Sequence, residues 1–195
     1  MSKKIEQRNI LTPEFTLQFA DLEEPSKLSG KYRVVAVFDS AEGLADLKAA
    51  MKAAAVSKWG DKIPKKLHNP VRTYEDSFVT DEETGEQKNW YPEGSINAAF
   101  STSRPYLVGS DGTRALTPDK FYPGCKCRAV VHPWPYDSKG VNGAGISLTL
   151  DLLQFVSDGE RLGGGTSAAK ALIAANPIKK ESAAVEVSEA DVFDF

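Results

Sequence analysis

Five runs of β-branched and aromatic residues, one amphipathic stretch at helical spacing, and Gly/Pro/Asp-rich turns between the runs predict a mainly β fold for this chain of 195 residues. That inventory fits the OB-fold, a five-stranded Greek-key barrel, here with one main α-helix, a long basic loop and an acidic C-terminal tail, although strand counting by itself does not separate it from another small barrel or a sandwich. An apolar content of 41% is enough for one well-cored domain. We place that domain over residues 1–175 and the tail over residues 176–195.

The first strand signals cover residues 16–20 and 31–38 (Lys-Tyr-Arg-Val-Val-Ala-Val-Phe), separated by a polar, turn-like stretch over 23–30. A helix is predicted over 42–59, where Leu44, Leu47, Met51, Ala54 and Ala55 recur on one face and Lys48, Lys52 and Lys58 point largely elsewhere; Gly60 closes it. Residues 64–88 read as a long loop or hairpin excursion with a turn at Asp81-Glu-Glu-Thr-Gly85. Loops of this length are usually functional or disordered. Strand signals resume at 95–104, 124–132 and 145–156, with turns at Gly109-Ser-Asp-Gly112 and Asp137-Ser-Lys-Gly140. Gly163-Gly-Gly165 reads as a flexible joint before an Ala-rich short helix over 167–175.

The last fifteen residues carry Glu181, Glu186, Glu189, Asp191 and Asp194, no basic residue, and the ending Asp-Val-Phe-Asp-Phe. So acidic a segment buries too little apolar surface to offset its ordering entropy, so a solvated, mobile tail is expected. Asp191, Phe193, Asp194 and Phe195 read as an anchor for a basic, partly apolar pocket; a solubilising terminus is the plainer alternative. Without those five carboxylates the formal charge of −3 becomes +2 for the remainder. A mildly basic body suits nucleic acid only if its positive groups cluster.

They cluster twice. In Cys125-Lys-Cys-Arg-Ala-Val-Val-His-Pro-Trp134, strand alternation places Cys125, Cys127, Ala129 and Val131 on a core face and Lys126, Arg128, Val130, His132 and Trp134 on the other. Cations that track phosphates and aromatic faces that stack bases are what a single-strand binder needs. Trp134, flanked by Pro133 and Pro135 with Tyr136 beyond, is either such a platform or a cap on the barrel core. The second cluster is Lys62, Lys65, Lys66, His68 and Arg72, with Tyr74 and Phe78 close by, which suits an arm around a nucleic-acid strand or a solvated loop. Trp90 and Tyr91 add a stacking surface, and Arg104 ends a strand whose Asn97, Ser101 and Ser103 are polar enough to face a groove.

Signals for other chemistry are thin. No Ser/His/Asp set, Cys/His pair or phosphate-loop spacing appears, and Gly163-Gly-Gly-Thr166 lacks a P-loop's Lys-Ser/Thr ending. The two cysteines on one strand, with His132, make a poor zinc set and read as core residues, so no metal or cofactor is expected. The N-terminus lacks a signal peptide's apolar core and no apolar run reaches membrane-spanning length, so a cytoplasmic location is expected.

Phe121-Tyr-Pro-Gly-Cys-Lys-Cys-Arg, His132-Pro-Trp-Pro-Tyr-Asp and the stretch from Gly145-Ile-Ser-Leu-Thr-Leu-Asp through Ser157-Asp-Gly-Glu-Arg-Leu-Gly-Gly-Gly165 resemble a family of bacteriophage proteins long catalogued as a domain of unknown function. Its members look like OB-fold single-stranded DNA-binding proteins. His68-Asn-Pro-Val-Arg72 and Ile96-Asn-Ala98 extend the resemblance, which covers roughly residues 10–170. The run from Leu150 to Gln154 is more apolar than the family's Asn-rich version. The tail resembles the acidic, Phe-terminated tails of phage replication proteins that coat single strands.

The resemblance implies a non-catalytic protein of the host cytoplasm that coats DNA during phage replication, recombination and repair. Its tail would recruit the replicative polymerase and helicase and compete with DNA, and tailed relatives imply a homodimer in which one subunit's tail fills the other's groove. On the residues themselves, Lys65, Lys66, Arg72, Arg104, Lys126 and Arg128 are the expected phosphate contacts, and Tyr74, Trp90, Trp134 and Tyr136 the expected stacking groups. Double-stranded DNA is a further candidate ligand. A metal-dependent nuclease relying on carboxylates and a structural phage protein are the rival readings.

Overall fold

The computed structural model describes residues 9–82, 84–138 and 143–162. Its strands are β1 (Ile10–Leu11), β2 (Phe15–Asp21), β3 (Tyr32–Phe38), β4 (Val71–Thr73), β5 (Val79–Thr80), β6 (Gln87–Lys88), β7 (Ile96–Thr102), β8 (Leu107–Val108), β9 (Lys126–Asp137) and β10 (Ala144–Ser157). One α-helix, α1 (Ala45–Trp59), and two short 3-10 turns, Glu75–Ser77 and Pro118–Lys120, complete them.

Five of these strands close a ring. β9 pairs β2, β2 pairs β3, β3 pairs β7, β7 pairs β10, and β10 returns to β9. All contacts are antiparallel except β7 with β10, which run parallel. This is the partly open five-stranded barrel expected of an OB-type fold. Alternating side chains fill it: Phe15 and Leu17; Val34, Ala36 and Phe38; Ala98 and Phe100; Cys127, Ala129 and Val131; Leu148, Leu150 and Leu153. Phe15 packs edge-on against Phe38 and Phe100, with ring centroids 5.5 and 5.9 Å away.

The helix buries Leu47, Ala50, Met51, Ala54 and Ala55 as its spacing predicts. It starts at Ala45 rather than at residue 42 because Gly43 sits at φ +75°, a left-handed conformation that a right-handed helix excludes. Its last turn is fastened to the end of β9. Lys58 Nζ lies 3.1 Å from Asp137 Oδ2, and the Trp59 indole N–H donates to Asp137 Oδ1 at 3.0 Å. These two contacts, the indole first, hold the Asp137 carboxyl below its usual range.

Two departures from simple strand reading shape the surface. β9 runs on through Pro133 and Pro135 to Asp137, five residues past the expected end. Proline is tolerated there because β1 pairs only Val130 and Val131, leaving the edge beyond them without an acceptor to satisfy. Register breaks between Leu17 and Phe19 and between Leu150 and Leu152 add one residue to each strand. Each bulge therefore turns two consecutive side chains outward, Gln18 with Phe19 and Asp151 with Leu152.

The excursion over residues 64–88 is not a free loop. Residues 68–73 enter the barrel wall where β7 and β10 diverge. The His68 amide donates to the Ala144 carbonyl and the Ile146 amide to the His68 carbonyl, both at 3.0 Å, and β4 then pairs Ile96 to Ala98 of β7. β5 and β6 form a separate hairpin, closed as expected at Asp81 and Gly85. At the far end of β10, a Cβ on Gly124 would collide with the Glu160 carbonyl, and Tyr122 Oη–H donates to Asp158 Oδ1 at 2.8 Å. Backbone packed this closely on backbone needs glycine.

Candidate nucleic-acid interface

Ring closure decides which predicted residues meet. In the order β9-β2-β3-β7-β10, β3 lies across the barrel from the β9–β10 pair. The outer faces of β2, β3 and β7 therefore form one flank, and those of β1, β9 and β10 the opposite one.

On the first flank, Phe19 stands 44% exposed on the β2 bulge, paired with Val35 of β3, which is buried at 6% exposure. Trp90, 64% exposed, is tied above it by its carbonyl, which accepts from Gln18 Nε2 at 3.3 Å. Tyr74 and Phe78 pack edge to face with centroids 5.2 Å apart at the end of β4, and Asn89 Nδ2–H holds the Tyr74 carbonyl at 2.8 Å. Exposed Arg33 faces outward from β3, while exposed Arg104 follows β7 with the exposed ring of Tyr106 two residues on. Phe19, Arg33 and Tyr106 escaped sequence reasoning. Arg33 is legible as a cation on the outward register of the strand over 31–38 and Tyr106 as an aromatic just after one, but Phe19 faces outward only because of the bulge.

Asn97 corrects an expectation. It does not face a groove. The side chain is 6% exposed and donates to Ser77 Oγ at 2.6 Å, while Ser77 Oγ–H donates to the Thr73 carbonyl at 2.6 Å. Packing of the 3-10 turn Glu75–Ser77 over β7 buries it, so its amide positions the Tyr74–Phe78 pair rather than touching a ligand.

The seam between the flanks holds the basic loop. Lys65, Lys66, His68 and Arg72 are exposed, and a hollow of about 300 Å³ opens below Arg72 against Lys48, Asn69 and Asp76. Partial burial and, second, the Arg72 guanidinium lower the His68 imidazole below its ordinary pKa. The loop's anchored half, residues 68–73, leaves only the lysines before it as a projecting arm.

On the opposite flank, Cys125, Cys127, Ala129 and Val131 point inward and Lys126, Arg128, Val130, Trp134 and Tyr136 outward, as alternation predicts. Trp134 is 44% exposed and so does not cap the core. Tyr136 lies across Gly145 of β10. Lys126 Nζ–H donates to Thr16 Oγ1 at 2.9 Å. His132 is buried on this face and satisfied: its Nδ1 is 2.7 Å from Oδ2 of Asp151, the residue the bulge presents. The two free cysteines lie with Sγ atoms 3.6 Å apart in the core, where their mutual hydrogen bond and burial raise the Cys127 thiol far above its usual value. Among the described residues no group of three His, Cys, Asp or Glu side chains is placed to hold a metal ion, and no helix is long and apolar enough to cross a membrane. Asp191, Phe193, Asp194 and Phe195, the joint at 163–165 and the helix expected over 167–175 lie outside the described residues.

A family model described as Enterobacter phage Enc34, ssDNA-binding protein, matches residues 8–182. Putative protein p50 of Acyrthosiphon pisum secondary endosymbiont phage 1 is 28% identical over 156 residues, spanning 76% of this chain and 83% of that protein. Among solved structures, the single-stranded DNA-binding protein from bacteriophage Enc34 in complex with ssDNA aligns at a TM-score of 0.61 and 16% identity, covering 84% of this chain and 97% of the other. Gp2.5, a single-stranded DNA-binding protein encoded by bacteriophage T7, aligns at 0.55 and 15%, covering 92% and 100%. At such identities the two structures attest the fold alone, that of phage single-stranded DNA-binding proteins.

Proposed function

Because the chain belongs to the Enterobacter phage Enc34 ssDNA-binding protein family, we propose that it binds single-stranded DNA without reading base edges and without catalysing a reaction. The observation that carries this reading is the β2–β3–β7 flank, where exposed Phe19 and Trp90, with Tyr74 beside them, are bordered by Arg33, Arg72 and Arg104. Aromatic faces stack any base, and guanidinium groups donate to any phosphate. The outer face of the second and third barrel strands, here β3 and β7, is where OB-folds commonly take up oligonucleotides. Lys65 and Lys66 extend the cationic track along the seam.

Coating then works by replacing intrastrand pairing with protein contacts, the role wanted in phage replication, recombination and repair in the host cytoplasm. The domain over residues 1–175 binds DNA. The segment 176–195, through Asp191, Phe193, Asp194 and Phe195, recruits the replicative polymerase and helicase and competes with DNA for the protein, in a homodimer as the tailed relatives imply. Family membership and the acidic, aromatic composition of the segment support this part of the reading.

A gel shift with a labelled single-stranded oligonucleotide, run in chelator and again with magnesium, tests the proposal. Retarded, uncleaved oligonucleotide in both lanes is the expected result. Cleavage on adding magnesium identifies a nuclease instead, and no shift leaves a structural role.

A further inference from the structure

The predicted binding residues stand on two flanks with a barrel between them, and the flank that OB-folds commonly use accounts for only part of the set. Resting on the reading above, we propose that the β1–β9–β10 flank is a second, separate binding site for single-stranded nucleic acid. Lys126 and Arg128 lie at one end of β9 and Trp134 toward the other, Lys126 and Trp134 being eight residues or about 26 Å apart along an extended strand; Tyr136, beyond Trp134, abuts His68 of the basic loop. Between Lys126 and Trp134 lie Leu11, 53% exposed on β1 and paired with Val130 of β9, and the His132–Asp151 pair.

The charge balance selects the occupant. Each carboxylate within β9 and β10 is engaged, Asp151 by His132 and Asp137 by Lys58 and Trp59. The flank therefore offers the Lys126 and Arg128 cations, the Trp134 indole and the exposed Leu11 beside a carboxylate already held by His132, a set matched to a chain of phosphates and bases. Because the two flanks lie on opposite sides of the ring, a short oligonucleotide on one leaves the other free. Two short strands bind per chain, and a long strand gains by reaching both.

The test is a calorimetric titration of the full chain with an oligonucleotide of about eight nucleotides, within the range a single OB-fold occupies. The expected stoichiometry is two per chain. Arg128→Ala with Trp134→Ala reduces it to one and leaves the remaining affinity unchanged, and Leu11→Glu, an exposed change that repels phosphate, does the same. Phe19→Ala with Trp90→Ala removes the other site and keeps this one. One oligonucleotide per wild-type chain overturns the second site while leaving single-strand binding intact. Variants that alter the protein's mass in solution without altering stoichiometry also overturn it, making the flank a contact between copies. No binding by the wild-type chain overturns both readings.

Discussion

The ring of Tyr136 occupies the space that any side chain on Gly145 would need: a Cβ there would lie 2.6 Å from the tyrosine Oη and 2.8 Å from the Cβ of His68. Gly145 thus lets β9, β10 and the basic loop meet at one point. Gly145→Ala is expected to displace Tyr136 and loosen the His68 bridge, lowering thermal stability by about 1 to 3 kcal/mol, the usual cost of overpacking. Scanning calorimetry of the variant checks it. A transition at the wild-type temperature would mean that the ring swings away freely.

Asn97→Ala leaves Ser77 without its buried partner, at an expected cost of about 1 to 3 kcal/mol in stability. Since Asn97 holds the turn that carries Tyr74 and Phe78, DNA affinity should fall with it. Denaturant unfolding and binding measured on the same sample check both effects. Loss of affinity without loss of stability would place Asn97 in direct contact with the ligand.

Trp90→Ala removes an exposed ring and should weaken single-strand binding by about 1 to 3 kcal/mol at any base composition while leaving the fold intact. The affinity itself should fall with salt. Three to five phosphate contacts give a log-log slope of about −2 to −3.5, at roughly −0.7 per phosphate on single strands. Fluorescence titrations over a salt series check both expectations.

His68 introduces a pH dependence with two opposite signs. Its pKa in the folded chain lies below the ordinary histidine value of 6.5, so the fold resists its protonation. Its contribution to stability is present above that value and is lost as pH falls through the lowered one. A phosphate bound beside His68 would favour the imidazolium, so DNA binding would take up a proton and affinity should rise as pH falls toward the lowered pKa of the free chain, tenfold at most per unit by which the bound pKa exceeds the free one. His68→Gln should flatten both profiles, which binding and melting at several pH values would reveal.

The proposed competition of the tail with DNA is tested by deleting residues 181–195, which removes five carboxylates and two phenylalanines. The truncated chain should bind single-stranded DNA more tightly, most of all at low salt. It should fail to recruit replication partners, and Phe195→Ala alone should impair recruitment more than DNA affinity. Side-by-side titration of both forms decides it, equal or weaker binding by the truncated form marking a solubilising extension.

Local sequence determined what local physics controls. Period-two alternation in Cys125, Cys127, Ala129 and Val131 named a core face and, by exclusion, the outward set from Lys126 to Tyr136. Helical spacing from Leu44 to Ala55 named the buried stripe of α1. The tertiary structure decided everything that depends on a distant partner. Whether Asn97 meets water or Ser77, whether His132 is free or held by Asp151, and whether residues 68–73 project or enter the wall are set by chain segments 19 to 77 positions away. The two bulges that turn Phe19 and Asp151 outward arise from register against β3 and β9, which neither strand encodes alone. Closure of the ring then separated Trp90 from Trp134, because five strands wrapped around one core must present their outer faces in opposite directions.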